Sequence, residues 1–156
     1  MHVAFLDRDG TLIHEPQDGL ARPEGFRILP NVIEGLHALR SQGYILVMIT
    51  NQRFSVLPEW QSCFEETQRM LFEALKEEGL SFDEVFMCPH VDEDHCNCRK
   101  PKTGMVDRFL KEHAIDKQRS FVVGDNESAD GGIAKAIGVR YVRMQSNGTF
   151  PEMKCS

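Results

Sequence analysis

Two aspartates two positions apart, Asp7 and Asp9 in FLDRDGT (5–11), end the first apolar run of the sequence. Side chains alternate along an extended segment, so residues i and i+2 share a side and these two carboxylates are expected to crowd one spot. Like charges so placed disfavour the compact state unless a cation sits beside them. Gly10 offers a sharp exit and Thr11 a short hydroxyl. Three further polar clusters follow later apolar runs: Thr50-Asn51-Gln52, Arg99-Lys100 within CRKPK, and Gly124-Asp125-Asn126-Glu127 with Asp130 behind it. Such a set suits phosphoryl transfer. A carboxylate can attack phosphorus and divide one difficult displacement into two easier ones, provided a magnesium ion and a lysine neutralise the phosphoryl charge. Magnesium takes hard oxygen ligands, usually a couple of carboxylates plus water and substrate. On this reading Asp7 is nucleophile and ligand, and Asp125 is a second ligand. Asp9 serves as general acid for the leaving alkoxide and as base for the hydrolytic water. Thr50, with nearby backbone N–H groups, holds phosphoryl oxygens, and Lys100 supplies the fixed positive charge.

A second constellation is more local. Cys88-x-His90 and Cys96-x-Cys98 place three sulfurs and an imidazole within eleven residues. That is enough for a closed tetrahedral zinc site, and a closed set leaves no position for water, so the expected role is structural. His95 lies in the same loop as a spare ligand candidate. Five cysteines, three of them in this loop, are poor material for a disulfide framework and good material for a metal in a reducing cytosol.

The elements that must position these groups read as alternating strands and helices. VAFL (3–6), YILVMIT (44–50), EVFMC (84–88), SFVVG (120–124) and RYVRM (140–144) are the strands, several of them nearly continuous apolar runs suited to burial on both faces. Amphipathic helices are expected near 31–42, 58–78, 104–113 and 128–137, with Gly43, Gly79 and Gly138 as stops. The pattern predicts an α/β three-layer Rossmann-like fold with a mostly parallel central sheet and right-handed crossovers. Ligands bind such sheets beyond the carboxyl ends of the strands, where all four polar clusters fall. A chain of 156 residues, 41% hydrophobic and 27% charged, fits one domain over 1–156. Its formal charge of −6 argues against a general nucleic-acid surface. No signal peptide or membrane span is apparent, which points to the cytoplasm. Cys63 is expected to pack in the core, and Cys155 and Trp60 carry no assigned role.

DRDGT, TNQ, RKP and VGDNESAD, in this order and spacing, resemble the four motifs of the haloacid-dehalogenase-like phosphohydrolases. FLDRDGTL, LVMITNQ and CPHVDEDHCNCRKPK are similar to the zinc-containing branch, which holds the histidinol-phosphate phosphatase domain and the heptose-bisphosphate phosphatases. The resemblance implies Asp7 as nucleophile, Asp9 as acid/base, and magnesium held by the Asp7 and Asp125 side chains and the Asp9 carbonyl. It implies phosphate binding by Thr50, Asn51 and Lys100, and it points to His90 as the imidazole of the zinc set. The zinc loop would then pin the segment that delivers Arg99 and Lys100 to phosphate. Asp130 is either a further acid of the magnesium site or an acid complementing a helix N-terminus.

Two departures bear on the substrate. Asn126 stands where close relatives place a basic residue, and Asp125 and Asp130 are five positions apart instead of four. Glu127 adds an acid able to occupy part of the same space. RFSVLPEW (53–60) also lacks the glycines expected of a substrate loop. The joining segments are too short for a large cap. IHEPQDGLARPEG (13–25) reads as a flap that, with the zinc loop, walls an open pocket for a small phosphorylated metabolite. Histidinol phosphate is the first expectation, with Glu15 and Asp18 meeting its ammonium and imidazole groups; a heptose bisphosphate is the alternative. Two non-hydrolytic readings stand beside these. One is a phospho-acceptor domain, against which Asp9 and the zinc loop argue. The other is an inactive zinc-stabilised binding module, which turnover would exclude. The sequence leaves monomer and small homo-oligomer equally open.

Overall fold

The computed structural model describes residues 1–154. Five strands, β1 (Val3–Leu6), β2 (Ile45–Asn51), β3 (Glu84–Cys88), β4 (Phe121–Gly124) and β5 (Arg140–Arg143), form one sheet in the order β3-β2-β1-β4-β5, every pair parallel. Four helices, α1 (Val32–Ser41), α2 (Trp60–Glu77), α3 (Gly104–Glu112) and α4 (Gly132–Ile137), lie between them in the chain.

Alternation along the strands builds two cores. Ala4 and Leu6 of β1, Leu46 and Met48 of β2, and Phe121 and Val123 of β4 pack with Val32, Leu36 and Leu39 of α1 and Leu71 and Leu75 of α2. Val3, Phe5, Val47, Ile49 and Val122 point the other way, against Val106 and Phe109 of α3 and Ile133, Ala134 and Ile137 of α4. Helices therefore cover both faces, which is why β1, β2 and β4 read as unbroken apolar runs. Truncating the fully buried Leu71 to alanine is expected to cost about 2–5 kcal/mol. β1 occupies the middle of the sheet, with β2 and β3 added on one side and β4 and β5 on the other. The order reverses between β1 and β4, and the crevice at their carboxyl ends is the place such sheets bind ligands.

The differences from expectation lie at boundaries. α1 begins at Val32, and Asn31 before it makes no side-chain cap: it takes the left-handed conformation (φ 67°) and its side-chain amide donates to the Phe150 carbonyl at 2.9 Å. β2 starts at Ile45 and runs through Asn51. The expected fourth helix is divided, with a π-turn over Glu127–Gly131 leading into α4. Trp60 joins Phe54 and Phe64 in a small aromatic cluster, against which Cys63 packs as expected. Cys155 lies outside the described residues. No helix among those described is long and apolar enough to cross a membrane.

Candidate active site

Asp7 is the first residue beyond β1, tied to β4 by its N–H donating to the Val123 carbonyl at 3.0 Å. Lys100 Nζ reaches it from the loop after β3, donating to Asp7 Oδ1 at 2.8 Å, Asp130 Oδ1 at 2.6 Å and the Ile49 carbonyl at 2.9 Å. All three donor positions of the ammonium are thus filled, and Lys100 is only 4% exposed. Burial disfavours its charge, but Asp7 and Asp130 outweigh that and raise its pKa. Thr11 Oγ1 sits between two acids, 3.0 Å from Asp7 Oδ2 and 3.5 Å from Asp125 Oδ1. Two glycines make room: a side chain on Gly10 (φ 80°) would overlap the Asp125 carboxylate, and one on Gly124 would overlap Asp130.

Asp7, Asp125 and Asp130 bring carboxylate oxygens within 4.8 Å of one another, and Asp7 and Asp130 share the Lys100 ammonium. Desolvation and the neighbouring Asp7 raise Asp125 to about 7. The same two causes raise Asp130 to about 6 against the opposing pull of Lys100. Acids this frustrated and this close match the hard oxygen donor set of magnesium. Asp125 would hold the ion with Asp7, while Asp130 is engaged by Lys100 and by the Asn126 N–H at 3.1 Å.

The five-residue spacing from Asp125 is absorbed locally. The Asn126 carbonyl accepts from the N–H of Asp130 at 2.7 Å and of Gly131 at 3.4 Å, the latter an i→i+5 closure that accommodates the longer spacing within one turn. Asn126 caps this turn, its Oδ1 accepting from the Ala129 N–H at 3.0 Å. Glu127 does not enter the acid cluster, contrary to expectation; it pairs with Arg143 at 3.0 Å on the exposed side.

Asp9 also departs from the sequence reading. Its carboxylate is not crowded against Asp7 but turned away, onto the Arg8 guanidinium (3.3 and 3.0 Å) and Gln52 Nε2 (2.9 Å). Any share of Asp9 in holding magnesium therefore falls to its main-chain carbonyl. Thr50 is buried, with its hydroxyl 2.9 Å from Gln52 Nε2. The Asn51 amide makes a two-point clamp on the Lys100 backbone: Oδ1 accepts from its N–H at 2.9 Å and Nδ2 donates to its carbonyl at 3.1 Å. Arg99 Nη1 donates to the carbonyls of Gln52 (2.8 Å) and His90 (2.7 Å), tying the metal loop to the end of β2. Arg8, Thr11 and Gln52 received no role from the sequence. Arg8 had one signal, its place between two acids.

Cys88, His90, Cys96 and Cys98 converge as expected, their ligand atoms within 4.8 Å of one another. Sulfur–sulfur distances are 3.0 Å (Cys98 to Cys88) and 3.7 Å (Cys88 to Cys96), and His90 Nδ1 is 3.3 Å from Cys98 Sγ. A tetrahedron with metal–sulfur bonds of about 2.3 Å has edges of about 3.8 Å, so the set fits zinc with His90 presenting Nδ1. Burial and the adjacent Cys98 push the Cys88 thiol up to about 12, a cost that a bound cation removes.

The acid cluster opens into a cavity of about 520 Å³ lined by Glu15, Asp18 and Leu20 of the flap, Arg53, the metal loop through Asp92 and Arg99, and Ser128. Burial, then Asp9 and Asp7, raise Glu15 to about 7. Asp18 instead pairs outside with Arg22 at 2.6 Å.

A family model described as polynucleotide kinase 3 phosphatase matches residues 2–144. The chain belongs to that family. It is a haloacid-dehalogenase-like phosphatase of the branch that includes HisB and the heptose-bisphosphate phosphatases. Over 90% of its length this phosphatase is 36% identical to the histidine biosynthesis bifunctional protein HisB of Blochmanniella floridana. It spans only about two fifths of such relatives, 40% of that one. Among solved structures, a putative HAD-like phosphatase from Mesorhizobium loti is 28% identical with a TM-score of 0.73, covering 89% of this chain and 69% of that one. The D,D-heptose 1,7-bisphosphate phosphatase of B. bronchiseptica, complexed with magnesium and phosphate, shares the fold at 23% identity and a TM-score of 0.71, covering 91% and 92%.

Proposed function

We propose that this phosphatase hydrolyses a small phosphomonoester through an aspartyl-phosphate on Asp7. The observation that carries this reading is the Asp7 carboxylate itself, held by Lys100 and Thr11 at the floor of an open cavity. In the first step an Asp7 oxygen bonds to phosphorus as the ester oxygen leaves, taking its proton from Asp9. In the second, water bonds to the same phosphorus, gives a proton to Asp9 and releases Asp7 as carboxylate. Asp7 and Asp125, with the Asp9 carbonyl, would hold magnesium, which when bound neutralises charge on the phosphoryl oxygens. Lys100 and Thr50 face that phosphate, Arg99 borders it, and Asn51 acts by fixing Lys100 in place. Cys88, His90, Cys96 and Cys98 would hold a structural zinc. The likeness to a histidine biosynthesis protein is the support for a cytoplasmic setting.

Histidinol phosphate is the favoured substrate. The HisB relatives support it, and so does Glu15, an acid fixed in the cavity wall where a cationic leaving group would lie. Asp18, already paired with Arg22, is not needed for this. Arg53 on the same wall favours a second reading, a sugar bisphosphate whose other phosphate it would meet. The acidic rim of Glu15, Asp18 and Asp92 weighs against a polynucleotide. The test is phosphate release, with magnesium, from histidinol phosphate, a heptose bisphosphate, other sugar phosphates and a nucleotide 3′-phosphate. Preference for histidinol phosphate that weakens in Glu15→Gln supports the reading. Preference for a bisphosphate that weakens in Arg53→Gln moves the substrate and keeps the mechanism. No release from any of them, with the fold intact, leaves an inactive binding module.

A further inference from the structure

Arg8 stands between the two aspartates, and the chemistry assigned to them makes no use of it. It is nonetheless fully buried, at 0% exposure, where an arginine is rarely found without partners. Each guanidinium nitrogen is engaged. Nε and Nη2 form a fork on Asp9, 3.3 Å from Oδ2 and 3.0 Å from Oδ1. Nη1 donates backwards to Thr67 Oγ1 at 3.2 Å and Gln68 Oε1 at 3.3 Å, both on α2. Phe64, one turn earlier on the same helix, lies under the guanidinium at 4.3 Å.

Neighbours in a strand point to opposite faces, so a two-point pair between residues 8 and 9 requires the chain to leave the strand at once. It does so: β1 ends at Leu6, and the Arg8 carbonyl accepts from the N–H groups of Thr11, Leu12 and Ile13. The turn brings the Asp9 carboxylate round onto its own neighbour's side chain. Gln52 Nε2 completes the hold on Oδ2 at 2.9 Å, leaving the Asp9 side chain 15% exposed. Buried ion pairs are commonly replaceable by apolar residues without loss of stability, so stability alone does not account for this one. What a planar fork adds is geometry, because it fixes the plane and direction of a carboxylate where a lysine or a lone hydrogen bond would not.

We propose that Arg8 is the positioning residue of Asp9. Anchored from behind by α2 and assisted by Gln52, it aims the carboxylate for both proton transfers of the reaction. The inference rests on Asp9 being the acid/base group. The proton itself moves only between Asp9 and the leaving oxygen, and later from water to Asp9; Arg8 stays a cation and balances the carboxylate when it is ionised.

The test compares kcat/KM for an alkyl phosphate ester, whose leaving oxygen needs a proton, with p-nitrophenyl phosphate, whose leaving group departs without one. Asp9→Asn should lose about 10²–10⁴-fold on the alkyl ester and far less on the aryl ester. Arg8→Lys should show the same selectivity at about 10–100-fold, as expected for a misplaced catalytic group, and Arg8→Met should lose more on the alkyl ester than Arg8→Lys. Gln52→Met should fall in the same direction by less. Equal losses on both esters in the Arg8 variants, beside a selective Asp9→Asn, overturn the positioning role. A non-selective Asp9→Asn overturns the acid/base reading instead. Where thermal melts show that the Arg8 variants do not fold, Thr67→Val/Gln68→Ala decides. It keeps Arg8 and both aspartates and loosens only the rear of the fork; a selective loss supports the proposal, and an equal or absent loss overturns it.

Discussion

The two metal-competent clusters of this molecule are built in opposite ways. The thiol–imidazole set is local: Cys88 at the end of β3 and three ligands from the loop that follows it, all within eleven residues. The carboxylate set is assembled from afar. Asp7 follows β1, Lys100 follows β3, and Asp125 and Asp130 follow β4, so only the sheet brings them together. On the proposed function the local set would be a brace and the distributed set would do the chemistry. They meet in two adjacent residues, Arg99, which ties the loop to β2, and Lys100, which enters the acids. A shared segment would make the reactive cluster depend on the brace.

The largest effect tests the reactive side alone. Asp7→Asn is expected to lower phosphate release by about 10⁴-fold or more, measured at saturating magnesium. The same change removes the charge that helps raise Asp125 and Asp130, so the metal-free variant should melt above the parent chain. Loss of both activity and fold would break the distinction between chemistry and brace. Lys100→Met strikes the shared point. Asp7 and Asp130 lose the ammonium they share, at an expected cost of about 3–5 kcal/mol in urea unfolding, with activity lost as well.

Stripping zinc with a thiol-compatible chelator, or replacing Cys98 by serine, should lower both the melting temperature and kcat. Removing magnesium alone should abolish turnover while the fold persists. If zinc removal leaves kcat unchanged, the dependence of the acids on the brace is wrong.

A smaller effect is set by pH. Asp125 and Asp130 bind protons in the folded, metal-free protein at pH values where the unfolded chain, near 3.8, has released them. Stability without magnesium should therefore fall as pH rises from about 4 to about 7, and magnesium should raise the melting temperature far more at pH 7.5 than at pH 5. A magnesium shift that is equal at both values would remove the acids from the ion's site. Asp18→Asn, at an exposed pair outside the chemistry, should change neither KM nor melting temperature measurably.

How much of this was legible in the sequence follows from the same contrast. Cys88, His90, Cys96 and Cys98 were readable because their spacing is their geometry. Asp7, Asp125 and Lys100 were readable because alternating strands and helices already put strand ends on one rim. Hydrogen-bond direction was not. Asn51 was expected at phosphate; it lines the cavity, and no sequence signal announced that its side-chain amide would grip the Lys100 backbone. Asp9 shares a face with Asp7 only while the chain stays extended, and the turn through Arg8 ends that. The long Asp125–Asp130 spacing was read as a departure bearing on the substrate. One i→i+5 turn absorbs it, a closure that no side-chain pattern announces.

Asn147, in the left-handed conformation after β5, holds the flap at its root. Its Oδ1 accepts from the Glu15 N–H at 2.7 Å, its Nδ2 donates to the Glu15 carbonyl at 2.8 Å, and its own N–H binds the Gly10 carbonyl at 2.9 Å. Further out, Arg53 donates to the Asp18 carbonyl at 3.2 Å. A wall moored at both points is a doorway without a door. Traffic through it should need no closing and reopening, and solvent viscosity should then act on kcat/KM only through diffusion of the ester and leave a chemistry-limited kcat untouched.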